Sequence, residues 1–134
     1  MSDLKLLENA EKYMGKVSGF IKNNNYQLVD INNDMCIMEG IITDTSMNPY
    51  GMIHGGYLFG LADSAAGLFA RVAGRKAVTL SSHIEYLHAA YGSKIKAVVK
   101  KVKDGKHIVV FDVLLYDEKN VIVAKATIDY FYID

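Results

Sequence analysis

An α+β fold, one long apolar helix set against an antiparallel sheet, is what the order of patterns along this chain predicts. Three observations carry that reading. Residues 54–74 hold Leu58, Leu61, Ala62, Ala65, Phe69 and Val72 at helical spacing, with no β-branched residue before Val72. After Lys76, four segments are rich in valine, isoleucine and aromatic residues. Short polar turns separate them, so consecutive strands are expected to run antiparallel.

Taken in order, the chain opens with a helical stripe from Asp3 to Asn23, with Leu4, Leu7, Ala10, Met14, Val17 and Ile21 at three- and four-residue steps. The run Asn23-Asn24-Asn25 stops it. Tyr26 to Ile31 and Met35 to Thr43 read as two short strands around the polar turn Asn32-Asn33-Asp34. Asp44 to Ile53 holds the only proline, Pro49, and is placed as a loop. The central helix follows from His54. Strands are then expected at Ala77 to Leu87, Lys94 to Lys103, Lys106 to Tyr116 and Val121 to Tyr132. The turns between them fall at Gly92-Ser93, Asp104-Gly105 and Glu118-Lys119-Asn120.

Composition bounds the function classes. A chain of 134 residues is read as one domain, 1–134, and its 51% hydrophobic and 22% charged content excludes disorder as the main state. Fifteen basic residues balance fifteen acidic ones, so no global field recruits nucleic acid or an anionic membrane. Any anionic ligand is then held by local donors. Cys36 is the only cysteine, which excludes an internal disulfide and a cysteine metal cluster and points to a reducing, cytoplasmic compartment. Met1 to Glu8 lacks the basic flank and apolar core of a secretory signal. Tyr57 to Ala73 is interrupted by Asp63, Ser64 and Arg71, so it reads as a buried helix rather than a membrane span.

The segment Ile108 to Tyr116 is apolar on both alternating faces: Ile108, Val110 and Leu114 on one, Val109, Phe111, Val113 and Leu115 on the other. One helix layer covers one face. The other is expected to be closed by a second subunit.

Asp63 is the residue that most needs explaining. Between His54 and Arg71 it is the only formal charge, on a helix of Leu, Phe, Ala, Gly and Ser. An ionised carboxylate there must be paired or used. Helical geometry sets Phe59, Gly60, Ala66, Gly67 and Ala70 around it, and the small members leave room for a ligand to approach. The bland alternative is a carboxylate capped by backbone or paired with an arginine across an interface. His54-Gly55-Gly56 stands where loop becomes helix, so free N–H groups at the positive helix end can polarise a carbonyl and hold an oxyanion. Asn48 can donate a second hydrogen bond to the same carbonyl, although spacing alone favours a turn residue before Pro49. Thr79 opens the next strand and can orient a water. His83, His88 and His107 lack metal-ligand spacing and read as ordinary sheet residues, and no metal or cofactor is called for. Phosphate-loop and Ser-His-Asp patterns are absent.

The segment Asn48-Pro49-Tyr50-Gly51-Met52-Ile53-His54-Gly55-Gly56-Tyr57-Leu58-Phe59-Gly60-Leu61-Ala62-Asp63 resembles the pattern of hotdog-fold acyl-CoA thioesterases of the phenylacetate-degradation type. The resemblance runs from about Leu28 to the end, and a leading helix is also usual for such chains. It implies a long central helix wrapped by an antiparallel sheet, dimers that commonly pair into tetramers, and an acyl-CoA substrate. It further implies that Asp63 is general base or nucleophile, that the Gly55 N–H and the Asn48 amide bind the thioester oxygen, and that Thr79 helps hold the water. His54 and Gly56 join these as substrate-binding residues. The site is implied to lie between subunits, with Asp63 facing Gly55 and Asn48 of the other chain. One departure is His88-Ala89, where such chains often carry Arg-Pro, at a coenzyme A contact. Two competing readings stand beside hydrolysis: a hotdog hydratase using His54 with Asp63, and a non-catalytic acyl-CoA-binding protein.

Overall fold

The computed structural model describes residues 3–16 and 19–134. Helix α1 (Leu4–Met14) starts at Asp3, whose carboxylate accepts the N–H groups of Lys5 at 3.0 Å and Leu6 at 3.1 Å. The single leading helix expected through Asn23 is broken in two. Gly15 closes α1, its N–H bonding back to Glu11, and a five-residue helix α2 (Gly19–Asn23) follows. Glycine is a poor helix interior, and the apolar stripe continues past it without revealing the break. Val17, part of that stripe, lies outside the described residues.

Strands β1 (Tyr26–Ile31) and β2 (Met35–Ile41) form the expected hairpin, with Asn32 Oδ1 accepting from the N–H groups of Asp34 and Met35. β2 ends two residues earlier than the pattern suggests, because Thr43 leads into a 3-10 turn (Asp44–Ser46). Helix α3 (Gly55–Arg71) comes next. Strands β3 (Ala77–Tyr86), β4 (Lys94–Asp104), β5 (Ile108–Tyr116) and β6 (Ile122–Tyr132) complete one six-stranded sheet in the order β1-β2-β4-β5-β6-β3, every neighbouring pair antiparallel.

β3 and β4 are therefore not the adjacent strands that a turn at Gly92-Ser93 suggests. β3 pairs with β6 at the sheet edge, and β4 sits between β2 and β5. Residues 87–93 cross the sheet end, a span of about 14 Å for three strand spacings, within the ~23 Å reach of seven extended residues. On the way the Leu87 N–H donates to Val123, and Ala90 accepts from Ile53, at 2.9 Å each. That crossing brings Tyr86 to Ala90 against the loop before α3.

α3 packs across one face of the sheet. Leu61, Ala62, Ala65, Ala66 and Leu68 are fully buried against Val99, Val109, Phe111, Val113, Leu115 and Ile128. The Phe69 and Phe111 rings stack at 5.6 Å. The alternation read in β5 holds: Val109, Phe111, Val113 and Leu115 are buried, whereas Val110 and Leu114 are half-buried on the other face and Ile108 is exposed. At the β3 edge, Val78, Leu80 and Tyr86 are exposed. No helix among the described residues is long and apolar enough to cross a membrane.

Candidate active site

The loop-to-helix junction is built by three side chains. His54 caps α3, its Nδ1 accepting the Gly56 N–H at 2.8 Å, so the neutral ring carries its proton on Nε2. Of the two glycine N–H groups expected to be free, one is thus engaged. The Gly55 N–H has no acceptor among the described residues and sits at the positive end of a 17-residue helix. Tyr86 donates its hydroxyl to the Gly55 carbonyl at 2.8 Å, and a Cβ on residue 55 would lie 3.2 Å from the Tyr86 ring. Glycine lets the strand and the helix start approach that closely.

Asn48 takes the turn role that spacing alone favours, and its geometry leaves room for the other. Its Oδ1 accepts from Tyr50 at 2.9 Å and Met52 at 3.0 Å, forming the turn around Pro49. With the oxygen committed, the Nδ2 group is left as the donor. Asn48 and Gly55 line one cavity of about 370 Å³ together with Tyr86, Leu87 and His88.

Asp63, two turns along α3, is half-buried. Its Oδ1 accepts the Thr79 hydroxyl at 2.8 Å and the Tyr130 hydroxyl at 2.8 Å, and Tyr130 shares its proton with the Asp63 carbonyl, also at 2.8 Å. Burial and the neighbouring carboxylate push the Tyr130 phenol far above its ordinary range, so it stays a donor. Arg71 does not pair with Asp63: its Nε donates to Ala77 at 2.9 Å and a terminal nitrogen to Tyr13 at 3.1 Å. Asp63, Ser64, Arg71 and Tyr130 line a second cavity of about 490 Å³, walled by Tyr13, Lys16, Phe20 and Ile21.

The chain's own tyrosines take up part of the space that small residues were expected to leave beside Asp63. A Cβ on Gly60 would lie 2.6 Å from the Tyr26 hydroxyl, and one on Gly67 2.7 Å from that of Tyr130. Nothing in the sequence pattern singles out Tyr130. It is 67 residues from Asp63, and only the β3–β6 register, which pairs Thr79 with Tyr130, brings both hydroxyls to the helix.

Within one chain the structure brings Asn48 to Gly55 and Thr79 to Asp63, but not the two pairs to each other. Eight residues of helix put roughly 12 Å between Gly55 and Asp63, and the groups open into different cavities. Of the remaining histidines, His83 and His107 lie apart from both. His83 is exposed 3.9 Å from Glu85, and His107 stacks on Phe131. His88 lines the Asn48 cavity with its Nδ1 2.8 Å from the Ala89 carbonyl.

A long helix wrapped by a six-stranded antiparallel sheet is the hotdog fold, and the chain's relatives place it among thioester hydrolases. The sequence profile of the thioesterase superfamily matches residues 50–124, and the chain belongs to that superfamily. The E. coli PaaI protein of the phenylacetic acid degradation operon shares the fold, with a TM-score of 0.91 at 21% identity over 100% of this chain and 97% of that one. A Streptococcus mutans UA159 protein solved bound to acetyl CoA is 33% identical, with a TM-score of 0.79 over 87% of this chain and 93% of its own. A putative esterase of Archaeoglobus fulgidus is 25% identical over 122 residues, 90% of this chain and 79% of that protein.

Proposed function

We propose that the protein hydrolyses an acyl-CoA thioester within a homo-oligomer, Asp63 of one subunit acting on a carbonyl held by Gly55 and Asn48 of another. The observation that carries this reading is the division of labour along α3: a free donor at its positive end and an oriented carboxylate two turns on, opening into separate cavities. Two copies related by a two-fold axis bring the end of one helix to the flank of the other. The exposed apolar edge of β3 supports pairing there, and the half-buried outer face of β5 supports a further pairing of dimers into a tetramer. The relative that binds acetyl CoA supports a coenzyme A thioester as substrate.

The carbonyl oxygen sits between the Gly55 N–H and the Asn48 amide, which stabilise the negative charge that forms on attack. As general base, Asp63 takes a proton from water while the water oxygen bonds to the carbonyl carbon. Collapse of the tetrahedral intermediate breaks the C–S bond, and the coenzyme A thiolate leaves and takes up the proton. As nucleophile, an Asp63 oxygen instead bonds to the carbonyl carbon and expels the coenzyme A thiolate, which takes up a proton, and water opens the resulting anhydride to the free acid and the Asp63 carboxylate. His54 shapes the loop in either route, its Nδ1 committed to the helix cap. This disfavours a hydratase, which requires that ring to move a proton beside Asp63. A free, buried Cys36 accords with a reducing cytoplasm. The whole span 1–134 serves as one catalytic domain. Release of free thiol from a panel of acyl-CoA thioesters tests the reading: Asp63→Asn should lose about a hundredfold or more, and wild-type turnover in that variant would refute it.

A further inference from the structure

We infer that Tyr130 is a positioning residue, which with Thr79 fixes the Asp63 carboxylate by its Oδ1 and leaves Oδ2 as the reactive oxygen. This deepens the proposed hydrolase reading and rests on it.

Oδ1 receives two hydroxyl protons at 2.8 Å, from Thr79 and Tyr130, whereas Oδ2 has no donor among the described residues. Hydrogen bonds to one oxygen occupy its lone pairs, so the bare oxygen is the one that accepts a proton or attacks. The Tyr130 side chain cannot swing away. Its residue is 1% exposed, its ring meets Phe111 edge-on at 6.2 Å, and the Arg71 guanidinium lies 5.4 Å from its centroid. Gly67, one turn after Asp63, supplies the gap the hydroxyl occupies: a Cβ there would lie 2.7 Å from the phenol oxygen. Thr79, expected to hold water with its hydroxyl, directs its proton at Asp63 and keeps lone pairs for a water.

The charged and titratable groups around Asp63 are few. Arg71 on α3, Tyr13 in the last turn of α1, Lys16 just beyond it, and Tyr130 on β6 line its cavity, and the uncharged Thr79 hydroxyl on β3 lies beside them. Arg71 directs its bonds to Ala77 and Tyr13, so it does not replace a lost Tyr130 donor.

The test is Tyr130→Phe, read by isotope-edited infrared spectroscopy of a 13C-labelled Asp63 carboxylate and by kcat and KM. Removing the donor should shift the carboxylate stretching bands from their wild-type positions, because Oδ1 keeps only the Thr79 hydrogen bond. Turnover should fall about tenfold, with KM held within about twofold. Gly67→Ala keeps the hydroxyl but displaces it, and should shift the bands the same way. Replacing Tyr130 with 3,5-difluorotyrosine keeps the shape and strengthens the donor, so the bands should shift the opposite way, a readout that remains even where Tyr130→Phe does not fold. Unshifted carboxylate bands, whether turnover falls or not, overturn the inference. Asp63→Asn run alongside separates the two claims. If it retains turnover, the hydrolase role of Asp63 fails; if it is inactive while Tyr130→Phe leaves the bands unmoved, only the role of Tyr130 fails.

Discussion

Asn48 offers a substitution that separates its turn role from its proposed donor role. Its Oδ1 accepts two backbone N–H groups, at 2.9 and 3.0 Å, and its Nδ2 is the proposed oxyanion donor. Asn48→Asp keeps an acceptor oxygen at the turn, and the charge strengthens those two bonds. It also puts an oxygen where the donor stood. The expected loss is therefore that of an oxyanion donor, about 100- to 1000-fold in kcat or ~3–4 kcal/mol, with the unfolding midpoint in urea unchanged or slightly raised. Asn48→Ala removes both roles. It should lose a similar factor in kcat and in addition about 1–3 kcal/mol of stability, for two partly exposed hydrogen bonds at roughly 0.5–1.5 kcal/mol each. Thiol release and urea denaturation on the same preparations measure the two effects. If Asn48→Asp keeps kcat within about threefold of wild type, the amide meets no developing charge, and the loop serves only to shape the helix start.

Gly40→Ala should lower stability by about 1–3 kcal/mol in urea denaturation, because the new Cβ would lie 2.5 Å from the Tyr57 hydroxyl, which anchors the α3 start by donating to Asn24. Tyr26→Phe removes a buried hydroxyl that donates to the Tyr57 carbonyl at 2.8 Å, and should cost about 1–3 kcal/mol by the same measurement, with turnover retained. Alkaline pH should unfold the protein early: burial pushes the Cys36 thiol up to about 12, and Tyr57 and Tyr132 to about 12. Each keeps its proton in the folded chain after its unfolded counterpart has ionised. Stability is thus full below the unfolded thiol value of roughly 8.5 and falls as pH rises toward the folded values. A urea midpoint that stays flat to about pH 10.5 would contradict this, and Cys36→Ala should delay the fall to near pH 10, where the phenols begin to ionise.

What can be read in the sequence follows the range of the interactions involved. The central helix is legible because a 17-residue segment repeats its own burial every three or four residues. The two faces of β5 are legible for the same reason at a period of two. Asp63 stands out because a lone charge in such a helix needs a partner. That partner is hidden: the pairing of Thr79 with Tyr130 depends on a strand register fixed by the whole sheet, and an aromatic residue near the end of β6 reads first as core. The crossing between β3 and β4 is hidden likewise, since Gly92 looks the same in a hairpin and in a longer connection. The break at Gly15 shows the opposite failure, a periodic stripe that outlasts the backbone able to carry it.

The central claim is that Asp63 works on a carbonyl held by the Asn48 and Gly55 of another copy of the chain, and subunit complementation tests it most directly. Asp63→Asn and Asn48→Asp, each inactive alone, are co-expressed with different tags, and the mixed oligomers are isolated by sequential affinity capture. A mixed dimer holds one site with both residues intact and one with both replaced. An equal random mixture should therefore recover about a quarter of wild-type thiol release, and the purified mixed dimer about half. Mixed dimers that form and remain as inactive as their parents would contradict the account.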